Sequence, residues 1–169
     1  MIGLALMRLI ERNSERLAQG LTEEIYRSER TTDFHKIPPK DLQMRATEIY
    51  RNLGEWLLQK TEHDIERWFR AMGARRAAEG ISLPQFAWAV MLTRDHLWHF
   101  LEQECLSDSI IQLHGEIELQ RHLNQFFDRA VYYGIIGYLD PVGQDSLKTK
   151  KSERFENLAL QMLQRLSLS

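Results

Sequence analysis

The sequence predicts an all-α protein, and three observations support this prediction. Apolar residues recur at helical spacing along most of the 169-residue chain. The chain contains only four prolines, so little interrupts long helices. No segment shows the apolar–polar alternation of a β-strand, and no internal repeat is present. We therefore expect a single bundle of five long helices, followed by a C-terminal amphipathic helix.

The first two helices are predicted from apolar stripes on either side of a proline-rich loop. The first helix covers residues 2–28, with Leu6, Ile10, Leu17, Leu21 and Ile25 among the residues on one face. Residues 31–39 are predicted as a loop, because Ile37 and Pro38 each precede a proline and therefore avoid helical backbone. The second helix begins near Asp41, and its stripe consists of Leu42, Ala46, Ile49, Leu53, Trp56 and Leu57.

Three further helices follow. The third opens at Thr61, with Asp64 in its first turn, and ends at Gly80. The fourth, residues 82–106, is apolar on more than one face, which is typical of a helix at the centre of a bundle. The fifth covers residues 109–139. Its ridge consists of Leu119, Leu123, Phe126, Ala130, Tyr133 and Gly137.

Glycines and caps indicate how the helices meet. Gly80 suits the left-handed position just after a helix, and Ser82 with Gln85 three residues later predicts a capping box for the next helix. These signals together predict a helical hairpin. Gly134 and Gly137 each weaken a helix by roughly 1 kcal/mol relative to Ala. We expect them where another helix packs closely against the fifth one.

The chain divides into a helical bundle at residues 1–143 and a hinge with a short amphipathic helix at residues 144–169. The last helix has an apolar face made of Phe155, Leu158, Leu160, Met162, Leu163 and Leu166. This face could fold back on the bundle, pair with a second copy, or continue into a signalling helix joined to a further domain.

Composition excludes several classes of partner. The net charge of −2 argues against nucleic-acid binding, which usually needs a concentrated basic face. The apolar run at residues 2–7 is too short for a membrane span or a signal peptide, so we expect no membrane insertion. The only cysteine, Cys105, cannot form an intrachain disulfide, which fits the reducing cytoplasm. We expect a cytoplasmic protein.

No pattern of catalytic residues is present. The sequence lacks a glycine-rich phosphate loop, a Gly-x-Ser-x-Gly elbow and the zinc-protease and di-iron helix motifs. Cys105 lies near the C-terminal end of a predicted helix, where the helix dipole would raise a thiol pKa rather than lower it. We therefore predict no enzymatic activity and name no catalytic residue.

Two groups of residues are candidates for ligand binding. Aromatic side chains of the fourth and fifth helices either form an ordinary core or line a pocket, for which Arg94, Trp98 and Tyr133 are the candidate ligand-binding residues. His96 and His99 are three residues apart on the fourth helix. A structural role on the helix surface is the favoured interpretation for both, and a metal or haem ligand is the alternative.

Three stretches resemble a known family. Residues 73–86 read GARRAAEGISLPQF. They are similar to the middle of the N-terminal sensor-type domain of the RsbT co-antagonist proteins, in which an arginine-rich helix end, a short turn and a long helix recur. Residues 9–13 (LIERN) resemble the opening helix of that domain, and residues 126–130 (FFDRA) with Tyr138 resemble its closing helix. The resemblance spans about residues 5–140.

The resemblance implies an all-α regulatory domain of five or six helices. It also implies a homodimer that passes a signal, in bacterial stress response, to an attached or associated output module. Some related regulatory domains have a globin-like arrangement without haem, so a globin-like bundle is one expected form. No β/α output domain follows in this chain, which is expected to be a piece of a longer protein or a free-standing version.

The predicted function is therefore that of a non-enzymatic sensory or regulatory domain that dimerises and relays a signal. The alternative is a small-ligand or haem-binding sensor with a pocket between the fourth and fifth helices. We expect no cofactor except haem under that alternative, in which His96 or His99 is the ligand.

Overall fold

The computed structural model describes residues 2–104 and 110–140, all of which belong to helices or short connections. Within these ranges no β-strand is present, so the predicted all-α class is confirmed. A 3-10 segment at Glu29–Lys36 links the second and third helices. The α-helices are α1 (Ile2–Arg12), α2 (Ser14–Arg27), α3 (Pro39–Arg51), α4 (Leu53–Leu58), α5 (Glu62–Ala78), α6 (Leu83–Glu104) and α7 (Ile110–Leu139).

An asparagine interrupts each of the first two predicted helices, and the prediction of continuous helices there was wrong. Asn13 separates α1 from α2, and Asn52 separates α3 from α4. Both residues have backbone angles near φ −100°, at −101° and −107°, outside the ideal helical range. Each side-chain amide donates to a carbonyl four residues earlier, at 2.8 Å to Leu9 and 2.8 Å to Glu48. The asparagine side chain thus competes with the backbone N–H groups for a helix carbonyl. The apolar stripe of the sequence continues across each break and gives no sign of it.

The predicted loop before α3 is partly helical. Residues 29–36 form 3-10 turns rather than an open loop. Ile37 and Pro38 have extended backbone, with ψ of 127° and 139°, as their position before a proline predicts. Helix α3 begins at Pro39, so Asp41 lies within the first turn and not at its start. Proline is well suited to this first position because it lacks the N–H that a helix cannot use there.

The core forms where α6 and α7 meet the N-terminal helices, with α5 packed against α7. Helix α6 contacts α2, α5, α7 and the 3-10 segment, which agrees with the central position predicted for the fourth helix. Five residues of the predicted α7 ridge are buried, namely Leu119, Leu123, Phe126, Ala130 and Gly137. The prediction that another helix packs closely on Gly134 and Gly137 is confirmed, because the backbone of α5 lies against both.

Some predictions lie outside the described residues. They concern Cys105, the hinge and the amphipathic helix at residues 144–169, and the boundary at residue 143. The globin-like form also stays a prediction. Among the described helices, none combines the length and the apolar character needed to cross a bilayer.

Candidate functional site

A cavity of about 70 Å³ lies between α2, α3, α5 and α6. Its polar lining consists of Arg45, Arg76 and Thr93. A single ordered water needs about 10–15 Å³ of such space, so the cavity has room for a small ligand. The apolar lining includes Leu21, Ile25, Phe34, Leu42, Met72 and Val90.

Two arginines share one carboxylate at the edge of this cavity. Arg76 Nη1 donates to Glu79 Oε2 at 2.6 Å, and Arg45 Nη1 donates to Glu79 Oε1 at 2.9 Å. The Arg76 side chain is only 8% exposed, and its guanidinium lies 5.7 Å from the centre of the Phe34 ring. Two positive charges and one negative charge leave this cluster with a net positive charge. The cavity therefore has a positive wall opposite apolar ones.

The charge of Arg76 persists despite its burial. Burial lowers the pKa of the Arg76 guanidinium, while the charge of Glu79 and its hydrogen bond oppose this change. Because the ordinary pKa of an arginine lies far above the physiological range, the group stays protonated there. A fixed cation inside a protein acts more strongly on a ligand than one in water, since the local dielectric constant is lower.

The turn after α5 begins directly beside this cluster. Gly80 has φ +74°, which only glycine adopts readily. Gly80 N donates to the Ala77 carbonyl at 3.1 Å and Ile81 N donates to the Arg76 carbonyl at 3.0 Å, the pair of bonds that defines a Schellman motif. The helix end predicted at Gly80 is confirmed. The Arg76 side chain lines the cavity, and its backbone carbonyl accepts one of these two hydrogen bonds. The cavity and the turn therefore share a residue.

The capping box predicted for Ser82 and Gln85 is wrong. Asp33 of the 3-10 segment accepts a hydrogen bond from Ser82 N at 2.9 Å, in the place that Gln85 was predicted to take. The Gln85 side chain instead accepts from Asp33 N at 2.7 Å. Lys36 Nζ contacts Asp33 at 2.9 Å and donates to the Gly80 carbonyl at 2.6 Å. A distant segment thus supplies the cap, because its carboxylate reaches the helix start in the folded chain.

These contacts change the titration of Asp33. The hydrogen bond from the Ser82 backbone, followed by that from Lys36, lowers the pKa of Asp33 from 3.8 to about 2. The carboxylate is therefore charged at every physiological pH. The turn is also bound to α7, because the Tyr138 hydroxyl donates to the Ile81 carbonyl at 2.8 Å.

The predicted ligand-binding residues lie away from this cavity. Arg94 Nε donates to Asp95 at 3.3 Å. Trp98 is partly buried against the core. The Tyr133 hydroxyl donates to Glu62 of α5 at 2.8 Å. None of these three lines the 70 Å³ cavity. The pocket between the fourth and fifth predicted helices stays a prediction.

The two candidate histidines have different surroundings. His96 Nδ1 lies 2.9 Å from the Glu24 carboxylate of α2, and the other edge of its ring faces Gly20. His99 is exposed and lies 2.9 Å from the Gln103 side chain. In the described part of the chain, no three His, Cys, Asp or Glu side chains come together in a way that could hold a metal ion. The haem hypothesis stays a prediction, with both edges of the His96 ring directed at α2.

A second concavity, of about 680 Å³, runs along the outer face of α3. Exposed residues line much of it, among them Glu15, Lys40 and Met44. It lacks a buried polar group, in contrast to the cavity at Arg76. We therefore regard the smaller cavity as the better candidate site.

Sequence reasoning missed the arginine cluster, although one signal was present. Arg76 continues the apolar stripe Ile65, Phe69 and Met72 of α5, so a charged residue occupies the core face of that helix. Glu79, three residues later, is its partner. Nothing in the sequence around Arg45 indicates its role, because its partner Glu79 is 34 residues away in the chain.

Comparison with known proteins agrees with this architecture. A family model described as the RsbT co-antagonist protein rsbRD N-terminal domain matches residues 15–140. The match includes α2 to α7, the arginine cluster and the turn at Gly80. Neither the comparison with curated proteins nor that with solved structures gives a match. Because the family model covers most of the chain, this protein belongs to the RsbT co-antagonist rsbRD N-terminal domain family, a family of regulatory signalling domains.

Proposed function

We propose that the chain is a non-enzymatic sensory domain of a bacterial stress response, acting in the cytoplasm. In this proposal it dimerises and relays a signal to an attached or associated output module. Family membership supports the regulatory role. The observation that carries the relay is that the α5–α6 turn contacts both the cavity wall and the end of α7.

The relay would run through the turn. A displacement of Arg76 would move its backbone carbonyl, which accepts a hydrogen bond from Ile81 N. The Ile81 carbonyl in turn accepts a hydrogen bond from the Tyr138 hydroxyl near the end of α7. Asp33 and Lys36 tie the same turn to the 3-10 segment. A small displacement in such a packed joint is transmitted to the next helix, since the interior has little free volume to absorb it.

The proposed dimer is supported by a partly exposed apolar stripe on α7. Tyr132, Ile135, Ile136 and Leu139 have the spacing of one helix face. Tyr132 and Leu139 are each 62% exposed. Large apolar side chains that share one face of a helix are usually covered by another part of the protein or by a partner. A second copy placed on this stripe would bury it by the pairing of identical helices, the usual geometry of a twofold dimer.

Sedimentation equilibrium of the purified chain tests the dimer. We expect a dimer at micromolar concentration, and Leu139→Glu should weaken it at least tenfold, because a carboxylate would be buried in the contact. Met44→Glu is the matched control, since Met44 is also an exposed apolar residue but lies on α3. A wild-type chain that is still monomeric when its concentration is raised about a hundredfold above this range contradicts the dimer. Equal effects of the two variants on the association would contradict the use of the α7 stripe.

The cavity at Arg76 supports the proposed sensing role independently of the dimer. This cavity lies between α2, α3, α5 and α6 and differs in place from the pocket expected between the fourth and fifth predicted helices. A small ligand there would contact the last turn of α5 directly. Small-ligand sensing is therefore the second candidate function.

A further inference from the structure

Arg76 has more hydrogen-bonding capacity than its described partners use. A guanidinium carries a fork of N–H donors and no acceptor. Among the described residues, its hydrogen-bonded partner is Glu79, through Nη1 alone. Buried polar groups are nearly always satisfied, so the remaining donors of a side chain that is 8% exposed call for an acceptor.

The chemistry of the cavity specifies this acceptor. The cluster of Arg45, Arg76 and Glu79 has a net positive charge, and carboxylates match the planar geometry of a guanidinium. The remaining walls are apolar side chains, including Leu21, Leu42 and Val90. A suitable ligand therefore has an anionic, planar oxygen end and a short hydrocarbon end.

We propose that this cavity binds a short-chain monocarboxylate such as acetate or propionate. Its carboxylate pairs with the free edge of Arg76, and its alkyl end packs against the apolar walls. The volume of about 70 Å³ favours a small ligand, which acetate and propionate are. The inference names the ligand class for the proposed sensing function, although binding itself requires neither the dimer nor the relay.

Titration calorimetry of the purified full chain tests the inference directly. Sodium propionate is titrated at constant pH and ionic strength, with sodium chloride making up the balance. We expect saturable binding to one site per chain. In parallel, thermal unfolding at about one hundred times Kd should show a rise in Tm of about 5 °C or more over the chloride reference.

Two arginine variants separate site binding from a general salt effect. Arg76→Met removes the buried guanidinium and should weaken propionate binding at least tenfold. Arg75→Met is the matched control, because Arg75 is the exposed neighbour on the same helix and does not line the cavity. Its affinity should equal that of the wild type. Equal affinities of the Arg76 variant and the wild type would overturn the proposal.

A cavity-filling variant provides a second route to the same decision. Ala46 is buried in the cavity wall, so Ala46→Val reduces the volume while leaving the arginines and Glu79 intact. It should abolish propionate binding, and circular dichroism reports whether each variant is folded. If Arg76→Met does not fold, unchanged binding by Ala46→Val rejects the site on its own.

Nitrate distinguishes a carboxylate site from a general oxyanion site. Nitrate is planar and anionic but has no hydrocarbon end for the apolar walls. We expect it to bind at least tenfold more weakly than propionate. Nitrate binding as tight as propionate binding would overturn the ligand class, and no saturable binding of either anion would overturn the site. Neither result bears on the dimer, which sedimentation reports separately.

Discussion

Gly73 of α5 and Gly134 of α7 meet backbone to backbone. A Cβ placed on Gly73 would lie 1.9 Å from the Gly134 carbonyl oxygen, far inside any contact that a side chain can make. Gly137 repeats the arrangement, since its Cβ would lie 2.0 Å from the Arg70 carbonyl oxygen. The two helices thus approach each other closely at their glycines. The close packing offsets the low helix propensity of glycine.

Gly73→Ala should destabilise the protein by about 3 kcal/mol, because the added methyl group forces two backbones apart. Urea unfolding measures the change. Gly20→Ala is the matched control in α2, where the new Cβ would meet only the end of the His96 side chain at 3.0 Å. We expect it to stay within about 1 kcal/mol of the wild type, since alanine improves helix propensity. Similar losses in both variants would mean that the close helix contact is not what Gly73 serves.

Asp33 should make stability depend on pH in the acid range. Its folded pKa of about 2 is below the ordinary value of 3.8, so the folded state favours the charged form. The resulting stabilisation is complete above about pH 4 and is lost as the pH falls through 2. Asp33→Asn should lower Tm at neutral pH and flatten the decline of Tm between pH 4 and pH 2.

The exposed Asp41 provides the comparison for this experiment. Asp41→Asn makes the same change at an exposed residue of α3. Its Tm should follow the wild-type curve over the same pH range. An Asp33→Asn profile that runs parallel to that of the wild type would contradict the role of the carboxylate at the start of α6.

The Tyr138 hydroxyl should stabilise the junction between the α5–α6 turn and α7. Tyr138→Phe removes the 2.8 Å hydrogen bond to the Ile81 carbonyl and should cost about 1 kcal/mol. Hydrogen exchange in the last turn of α7 should become faster as well. Tyr132→Phe, at an exposed tyrosine of the same helix, should change neither quantity. Exchange that is equally slow in both variants would remove Tyr138 from the relay.

Haemin should not bind through His96 or His99. His96 is engaged by Glu24 and faces Gly20, and His99 is exposed beside Gln103. We expect the absorbance spectrum of haemin with the wild-type chain to match the spectra with His96→Ala and His99→Ala. A Soret shift that disappears in either variant would establish the haem-binding alternative in place of this expectation.

Local signals were sufficient to predict most helices. Apolar spacing predicted the core faces of α5, α6 and α7, and Gly80 predicted the end of α5, because both features depend on residues within one or two turns of each other. The breaks at Asn13 and Asn52 were missed for a related reason. The apolar stripe continues across each break, so periodicity alone shows no interruption, while the asparagine amide changes the backbone hydrogen bonding.

The sequence by itself therefore determined the helical class, the main helix faces, the turn at Gly80 and the family resemblance. Tertiary structure decided which polar groups meet. Asp33, 49 residues before Ser82, took the capping role predicted for Gln85, and Arg45 reached Glu79 only because the fold brings side chains of α3 to the end of α5. Helix periodicity places residues on a face within each helix, but it contains no information about the residue that the neighbouring helix presents to that face. The candidate site is a product of this packing.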